Sequence, residues 1–251
     1  MSDLPLFDLC LRMGDTCLVL AQRTSEWIGH APVLEEDIGL ANIALDLVGQ
    51  TQLWLGLAAE VEGKGRSADE LAYRRDQGAY RNLLIAERPN GDFGHTLMRQ
   101  YLFDAWHYPM LQGLTASSDS RVAGIAEKAL KEVSYHIARS ADLVISLGDG
   151  TPESHARMQA ALNDLWPYTG EMLIADEVDA ALCEAGLAPD LEPVAAAWHA
   201  HVEATLTQAT LAKPASGYMH KGGKRGLHSE HLGYILAEMQ FLQRAYPTAT
   251  W

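Results

Sequence analysis

The stretch from Arg23 to Gln50, RTSEWIGHAPVLEEDIGLANIALDLVGQ, constrains this chain more than any other. It reads as the end of one helix, a His30-Ala31-Pro32 corner, and a long second helix from about Leu34. The second helix is apolar almost all round (Ile38, Leu40, Ala41, Ile43, Ala44, Leu45, Leu47, Val48, Leu53, Trp54), the pattern of a helix buried on most sides. Asn42, Asp46 and Gln50 nevertheless recur every fourth residue and share one face. A polar stripe on a buried helix needs partners, since an unpaired buried carboxylate or amide costs about 1–3 kcal/mol or more. Gln22 and Glu26, also four apart on the preceding helix, are the expected ones. Two antiparallel helices sharing an inward polar seam form half of a four-helix bundle that carries, or once carried, a metal site.

Periodicity and turn residues place further helices at about residues 6–27, 69–87, 93–114, 120–147, 151–185, 190–212 and 229–246. Pro167 is the expected break in the 151–185 segment, and Pro109 puts the continuity of the 93–114 helix in question. No strand-like alternation occurs, so the fold class is all-α, and residues 1–251 are expected to form one domain. Hydrophobic residues make up 48% of the chain and the net charge is −14. That balance excludes a general nucleic-acid binder, which carries a basic face. No run approaches the roughly 18 apolar residues of a membrane span. The start, MSDLPLFDLC, has no signal-peptide pattern, and a cytoplasmic location is expected. Cys10, Cys17 and Cys183 show no metal or disulfide spacing and are expected as reduced thiols in the core. Trp54, Trp106, Trp166 and Trp198 are expected in the core as well.

Di-iron carboxylate bundles take a Glu from each of two helices and a Glu-x-x-His pair from each of the other two. Laid on this chain, that template meets Glu26, Asp46, Asp104 and Glu132. Only Asp104 has a histidine three residues on, His107; Asp46 is followed by Gly49 and Glu132 by Tyr135, with His136 one residue later. The expected arrangement is a degenerate site whose acids form a buried hydrogen-bonded and ion-paired network, with Arg12, Arg23, Arg99, Lys128 and Arg139 as the available cations. The alternative is a metal site built from Asp104, His107, Glu132 and His136, serving a self-sufficient oxidase.

A second feature is HKGGKRGLH, residues 220–228, where Lys221, Lys224 and Arg225 alternate with glycines in an otherwise acidic chain. Two readings stand. The loop contacts a phosphorylated ligand or an acidic partner patch, or it is a solvated loop with ordinary surface charges. His228 and His231 read as surface or capping histidines.

Arg23…Glu26-Trp27…Gly29-His30-Ala31-Pro32, with Leu40-Ala41-Asn42…Leu45-Asp46…Gly49-Gln50, resembles the C-subunit family of phenylacetyl-CoA epoxidase. So do Asp104-Ala105-Trp106-His107, Lys131-Glu132…Tyr135-His136 and Gly222-Gly223-Lys224…Gly226-Leu227-His228…Glu230-His231-Leu232, in order over nearly the whole chain. The resemblance implies a ferritin-like bundle with additional C-terminal helices and a structural, non-catalytic role in a bacterial monooxygenase complex. The implied partners are a di-iron catalytic A subunit, a small B subunit and a reductase carrying FAD, an iron–sulfur cluster and NADPH. No cofactor is then expected in this chain. One broad apolar face is expected to be buried on the A subunit, and Lys221, Lys224 and Arg225 are expected at that interface or near the CoA ester.

Overall fold

The computed structural model describes residues 4–215 and 217–249; Ser216 and both ends of the expected 1–251 domain lie outside the described residues. Twelve α-helices occur among them, and no strand. The first two, α1 (Leu4–Glu26) and α2 (Leu34–Glu62), form the most extensive helix pair. Their corner is tied by Asp37 in the first turn of α2. Its carboxylate accepts the N–H groups of Gly29 at 2.7 and 2.9 Å and of Ala31 at 3.4 Å. Two short helices follow, α3 (Ala68–Tyr73), which Ser67 and Glu70 start with a capping box, and α4 (Leu84–Glu87). The second long pair is α5 (Phe93–Leu114) and α6 (Ser120–Gly148), capped by Asp92 and Asp119. Packing of α2 against α6 joins the two pairs into the expected ferritin-like four-helix bundle.

Outside the bundle, α7 (Pro152–Leu165) packs on α5 and α6, and a 3₁₀ turn at Trp166–Tyr168 follows it at Pro167. Next come α8 (Gly170–Leu173), α9 (Glu177–Glu184) and α10 (Leu191–Gln208), the last lying against α5 and α6. The chain closes with α11 (Glu230–Met239) and α12 (Phe241–Ala245). All four tryptophans expected in the core are buried there. Cys10 and Cys17 are buried too, whereas Cys183 is exposed on α9, contrary to expectation. None of the helices is long and apolar enough to cross a membrane, among the described residues.

Four other expectations are corrected. The helix expected at 69–87 is broken, because α1 and α8 offer its backbone better partners. Arg81 N–H bonds Asp15 at 2.8 Å, Leu83 N–H bonds Thr16 Oγ1 at 3.1 Å, and Leu84 N–H bonds Glu171 at 3.0 Å. The helix expected at 229–246 breaks at Gln240, whose buried amide donates to the carbonyls of Ala72 and Arg75 and to the Tyr80 hydroxyl. The α5 helix runs unbroken through Pro109. Its neighbours α6, α7 and α10 hold it against a proline cost of about 3 kcal/mol. Most consequential, α2 is not buried on most sides. Leu34 is 69% exposed, Ile38 52%, Leu45 68% and Val48 48%, and Tyr135 of α6 is 55% exposed. These α2 positions advance by four and by seven or three residues, a heptad-like stripe about 21 Å long at 1.5 Å per residue.

The ion pair between Asp15 of α1 and Arg75 is almost sealed from solvent, with side-chain exposures of 0% and 5%. Replacing Arg75 with Met leaves that carboxylate buried with one backbone donor, and should cost about 3–5 kcal/mol. The loss reads as a lower urea midpoint at unchanged slope. Adding Asp15→Asn to Arg75→Met should cost less than the two single effects summed.

Candidate functional site

Asp46 and Gln50 of the α2 seam meet Glu132 and His136 of α6, not Gln22 or Glu26 of α1. Gln50 Nε2 donates to Glu132 Oε2 at 2.9 Å, and Asp46 Oδ2 lies 2.9 Å from His136 Nε2. The Cys17 thiol of α1 lies 3.7 Å from Gln50 Oε1, and Asn42 is exposed. Asp104 of α5 is fully buried and accepts from Gln100 Nε2 at 2.7 Å and Ser140 Oγ at 2.9 Å. Glu26 stands apart at the end of α1, bonded to Arg23 at 2.9 Å and Asn90 at 3.2 Å. Gln22 makes no contact with the seam among the bonds of the described residues.

Thus Glu26, Asp46, Asp104 and Glu132 are not gathered round one point. Among the described residues no three His, Cys, Asp or Glu side chains are placed to hold a metal ion. Each of these acids already has protein partners, and Tyr135 lies on the outer face. The expected cations are also used elsewhere. Only Arg23 meets one of the four acids. Arg12 forks onto Asp176 and Asp179, Arg139 pairs with Glu36, and Arg99 donates to Arg88 O and Asn90 Oδ1. Lys128 is exposed.

His107 is the anomaly. It is fully buried, its ring 4.7 Å from that of Phe103 and stacked on Trp106 at 6.1 Å, and neither ring nitrogen has a partner. His136 Nδ1 and Gln100 Oε1 are likewise unpartnered. Burial, helped by the nearby His136, pushes His107 down to about 3. Burial pushes Asp104 up to about 6, opposed by His136 and by its bonds to Gln100 and Ser140. The two groups are therefore held neutral more strongly than in water.

The basic loop is closed from within. Gly222 and Lys224 turn their N–H groups onto Glu171 Oε1, at 2.7 and 3.3 Å, while Leu84 N–H holds its other oxygen. The backbone cradle that glycine makes available to an anion thus holds the chain's own carboxylate. Gly222 has φ +140°, and a Cβ at Gly223 would collide with the Asn82 carbonyl. Lys224 bonds Asp179 at 2.6 Å and Ile174 O at 2.9 Å, and Arg225 bonds Glu177 at 2.6 Å. Lys221 alone of the three makes no hydrogen bond or ion pair among the described residues, and it is exposed. His228 is not a surface histidine. Its side chain is fully buried, 2.6 Å from Glu87 Oε1 and 3.0 Å from Tyr80 O.

Glu87, Glu171, Asp176 and Asp179 are the residues that sequence reasoning missed. The Asp176-x-x-Asp179 capping box was legible as a helix start. Nothing in sequence marks Glu87 or Glu171 as buried acceptors.

A family model described as "Phenylacetic acid catabolic protein" matches residues 2–251. The chain is 50% identical over 241 residues to the C subunit of the Escherichia coli (strain K12) 1,2-phenylacetyl-CoA epoxidase, covering 96% of this chain and 97% of that relative.

The buried acid and imidazole give opposite pH signatures. Asp104 binds a proton more readily folded than unfolded, so its contribution falls as pH rises from about 4 to about 6 and stays unfavourable above. His107 excludes its proton when folded, so its contribution is lost as pH falls from about 6.5 toward 3. Asp104→Asn keeps the bond from Gln100 and should stabilise the chain by on the order of 1–3 kcal/mol at pH 8. That gain should vanish near pH 4 in urea melts.

Proposed function

Because the chain belongs to the phenylacetic acid catabolic protein family, we propose that it is a component of a phenylacetyl-CoA epoxidase. In this reading it is a structural subunit, one ferritin-like domain over residues 1–251 with no catalytic residues of its own. It pairs with and supports the di-iron A subunit, in the cytoplasm, during aerobic phenylacetate breakdown. Iron then sits in the A subunit, the assembly includes a small B subunit, and FAD, an iron–sulfur cluster and NADPH belong to the reductase. Neither nucleic acid nor membrane has a part in it.

One observation carries the non-catalytic role. Asp46, Asp104 and Glu132 each engage side chains of this chain, at 2.7–2.9 Å. Gln50, Ser140 and Gln100 are neutral hydrogen-bonding groups suited to close such a seam without a cation.

The pairing is supported by the α2 stripe. Leu34, Ile38, Ala41, Leu45 and Val48 step by four and three residues along an outward face, the spacing that receives a partner helix side by side. Ile28 and Val33 at the corner and Tyr135 on α6 add to the exposed apolar residues of these elements. A partner covering this face at an obligate interface would bury more than about 2,000 Å².

A second reading has one observation in its favour, the two unpartnered ring nitrogens of His107. In it the chain is a self-sufficient metal-dependent oxidase, with Asp104, Glu132 and His136 turned from their present partners onto a metal.

Metal analysis of the purified chain, alone and co-expressed with the catalytic partner, separates the two. The proposal expects negligible iron alone and iron only in the complex. Stoichiometric iron in the isolated chain, lost on Asp104→Asn or His107→Ala, would establish the oxidase reading instead.

For the pairing, Ile38→Asp combined with Leu45→Asp should weaken co-purification with the A subunit at least about 100-fold, each position losing roughly 1.5–3 kcal/mol of apolar burial. The melting temperature of the isolated variant should stay near that of the parent, because both side chains are exposed. Undiminished co-purification would move the interface elsewhere.

A further inference from the structure

Beside the closed loop lies a cavity of about 300 Å³ that neither the polar seam nor the α2 stripe uses. It sits between α8, the Ile174–Asp176 connection and the 219–227 loop, and its apolar lining comes from Ile174, Ala175, Met219 and Leu227. Ile174 and Leu227 are otherwise large exposed apolar side chains.

Most charged groups at the cavity already have partners. Glu171 holds the loop N–H groups, Asp176 is bonded by Arg12, and Lys224 by Asp179. Lys221 lines the cavity and has none among the described residues. Arg225 also lines it; its Nε stands 3.9 Å from Asp176, which Arg12 already holds, and its closer bond to Glu177 is a surface pair with both side chains exposed, 58% and 83%. Pairs of that kind are worth little and exchange readily for a better acceptor. A chain of net charge −14 therefore presents, at this one apolar hollow, a free ammonium and a readily released guanidinium.

The wall behind these residues is preformed. The rings of Tyr168 and His220 stack at 4.4 Å with 9° between their planes, and the Arg88 guanidinium lies 4.4 Å from the Tyr168 ring. Tyr218 meets His220 edge-on at 5.1 Å, and His220 N–H bonds the Pro167 carbonyl at 2.7 Å. Gly170 has no side chain where Met219 packs; a Cβ there would lie 2.7 Å from Met219 Cβ. A hollow fixed in this way loses little entropy when filled.

From this arrangement we infer that the cavity binds an organic anion with an apolar body, its anionic group taken by Lys221 and Arg225 and its body seated against Ile174, Met219 and Leu227. Charge-assisted bonds hold the anion, and apolar walls with a few convergent polar groups are the ordinary make-up of a small-molecule site. The volume is at the lower limit for such sites, about 300 Å³, so it suits one ring or a short chain and leaves any nucleotide outside. A carboxylate carried directly on that body supplies the charge, whereas the phosphates of a CoA thioester stand a pantetheine arm away from its acyl group. The inference is independent of the pairing proposed above.

Titration calorimetry on the purified full-length chain tests it, with phenylacetate, phenylacetyl-CoA, free CoA and inorganic phosphate as probes. Saturable binding of phenylacetate is expected; binding of phenylacetyl-CoA without binding of phenylacetate would overturn the inference, since the phosphates do not reach Lys221 while the ring fills the cavity. Lys221→Ala should weaken phenylacetate binding at least about tenfold, Lys221→Arg should retain it within about threefold, and Leu227→Asp should abolish it. Both side chains are exposed, so unchanged melting temperatures should accompany the variants. Absence of saturable binding by every probe would overturn the inference. So would Lys221→Ala binding as the parent does, or free CoA or phosphate binding as tightly as phenylacetate.

Discussion

A carboxylate taken out of water must meet donors, because several kcal/mol are lost when it does not. This chain meets that constraint with contacts that are distant in sequence. Asp15 of α1 takes Arg75 and the Arg81 N–H; Glu87 takes Asn82, His228 and Ser229; Glu171 takes the backbone of Leu84, Gly222 and Lys224. Arg12 reaches from α1 to Asp176 and Asp179, and Asp179 in turn takes Lys224. The irregular segments, residues 74–83 and 219–228, are the ones that supply or accept these bonds. Their irregularity is the means by which the small C-terminal helices are fastened to the bundle.

The same constraint explains the centre of the bundle. In the α2–α6 seam an amide answers one acid and an imidazole the other, and on α5 an amide and a hydroxyl answer Asp104. Such a network is tolerable only when its members are satisfied. It is incomplete at both ring nitrogens of His107, at His136 Nδ1 and at Gln100 Oε1. Burial keeps the His107 imidazole neutral, which limits what its missing bonds cost.

With the interior closed, the features left for contact lie at the surface, and the two are chemically unlike. The α2 stripe is long, apolar and heptad-like, a shape for a helix. The cavity under the 219–227 loop is small and carries cations, a shape for an anion with a ring or short chain. The sequence presented the basic residues of the second feature as a group of three. The fold divides them: Lys224 becomes a structural tie, Arg225 a loosely held surface group, and Lys221 the free one.

Legibility in sequence followed the range of the interactions. The long helices and the break at Pro167 were readable, because hydrophobic period and proline act within a turn or two. The all-α class and the loss of the Glu-x-x-His pattern at Gly49 and Tyr135 were readable for the same reason. The order of residues around Asp104 and in the basic loop carried the family resemblance. What sequence could not supply was which side of an apolar helix faces outward, since Leu45 and Leu47 are the same residue type yet one is exposed and the other buried. Nor could it say that Asp46 meets His136 instead of Glu26, or that Glu171 fills the glycine loop. Those outcomes depend on which helices come to lie side by side, and only the tertiary structure decides that, because the energy of a buried charge is set by its neighbours in space.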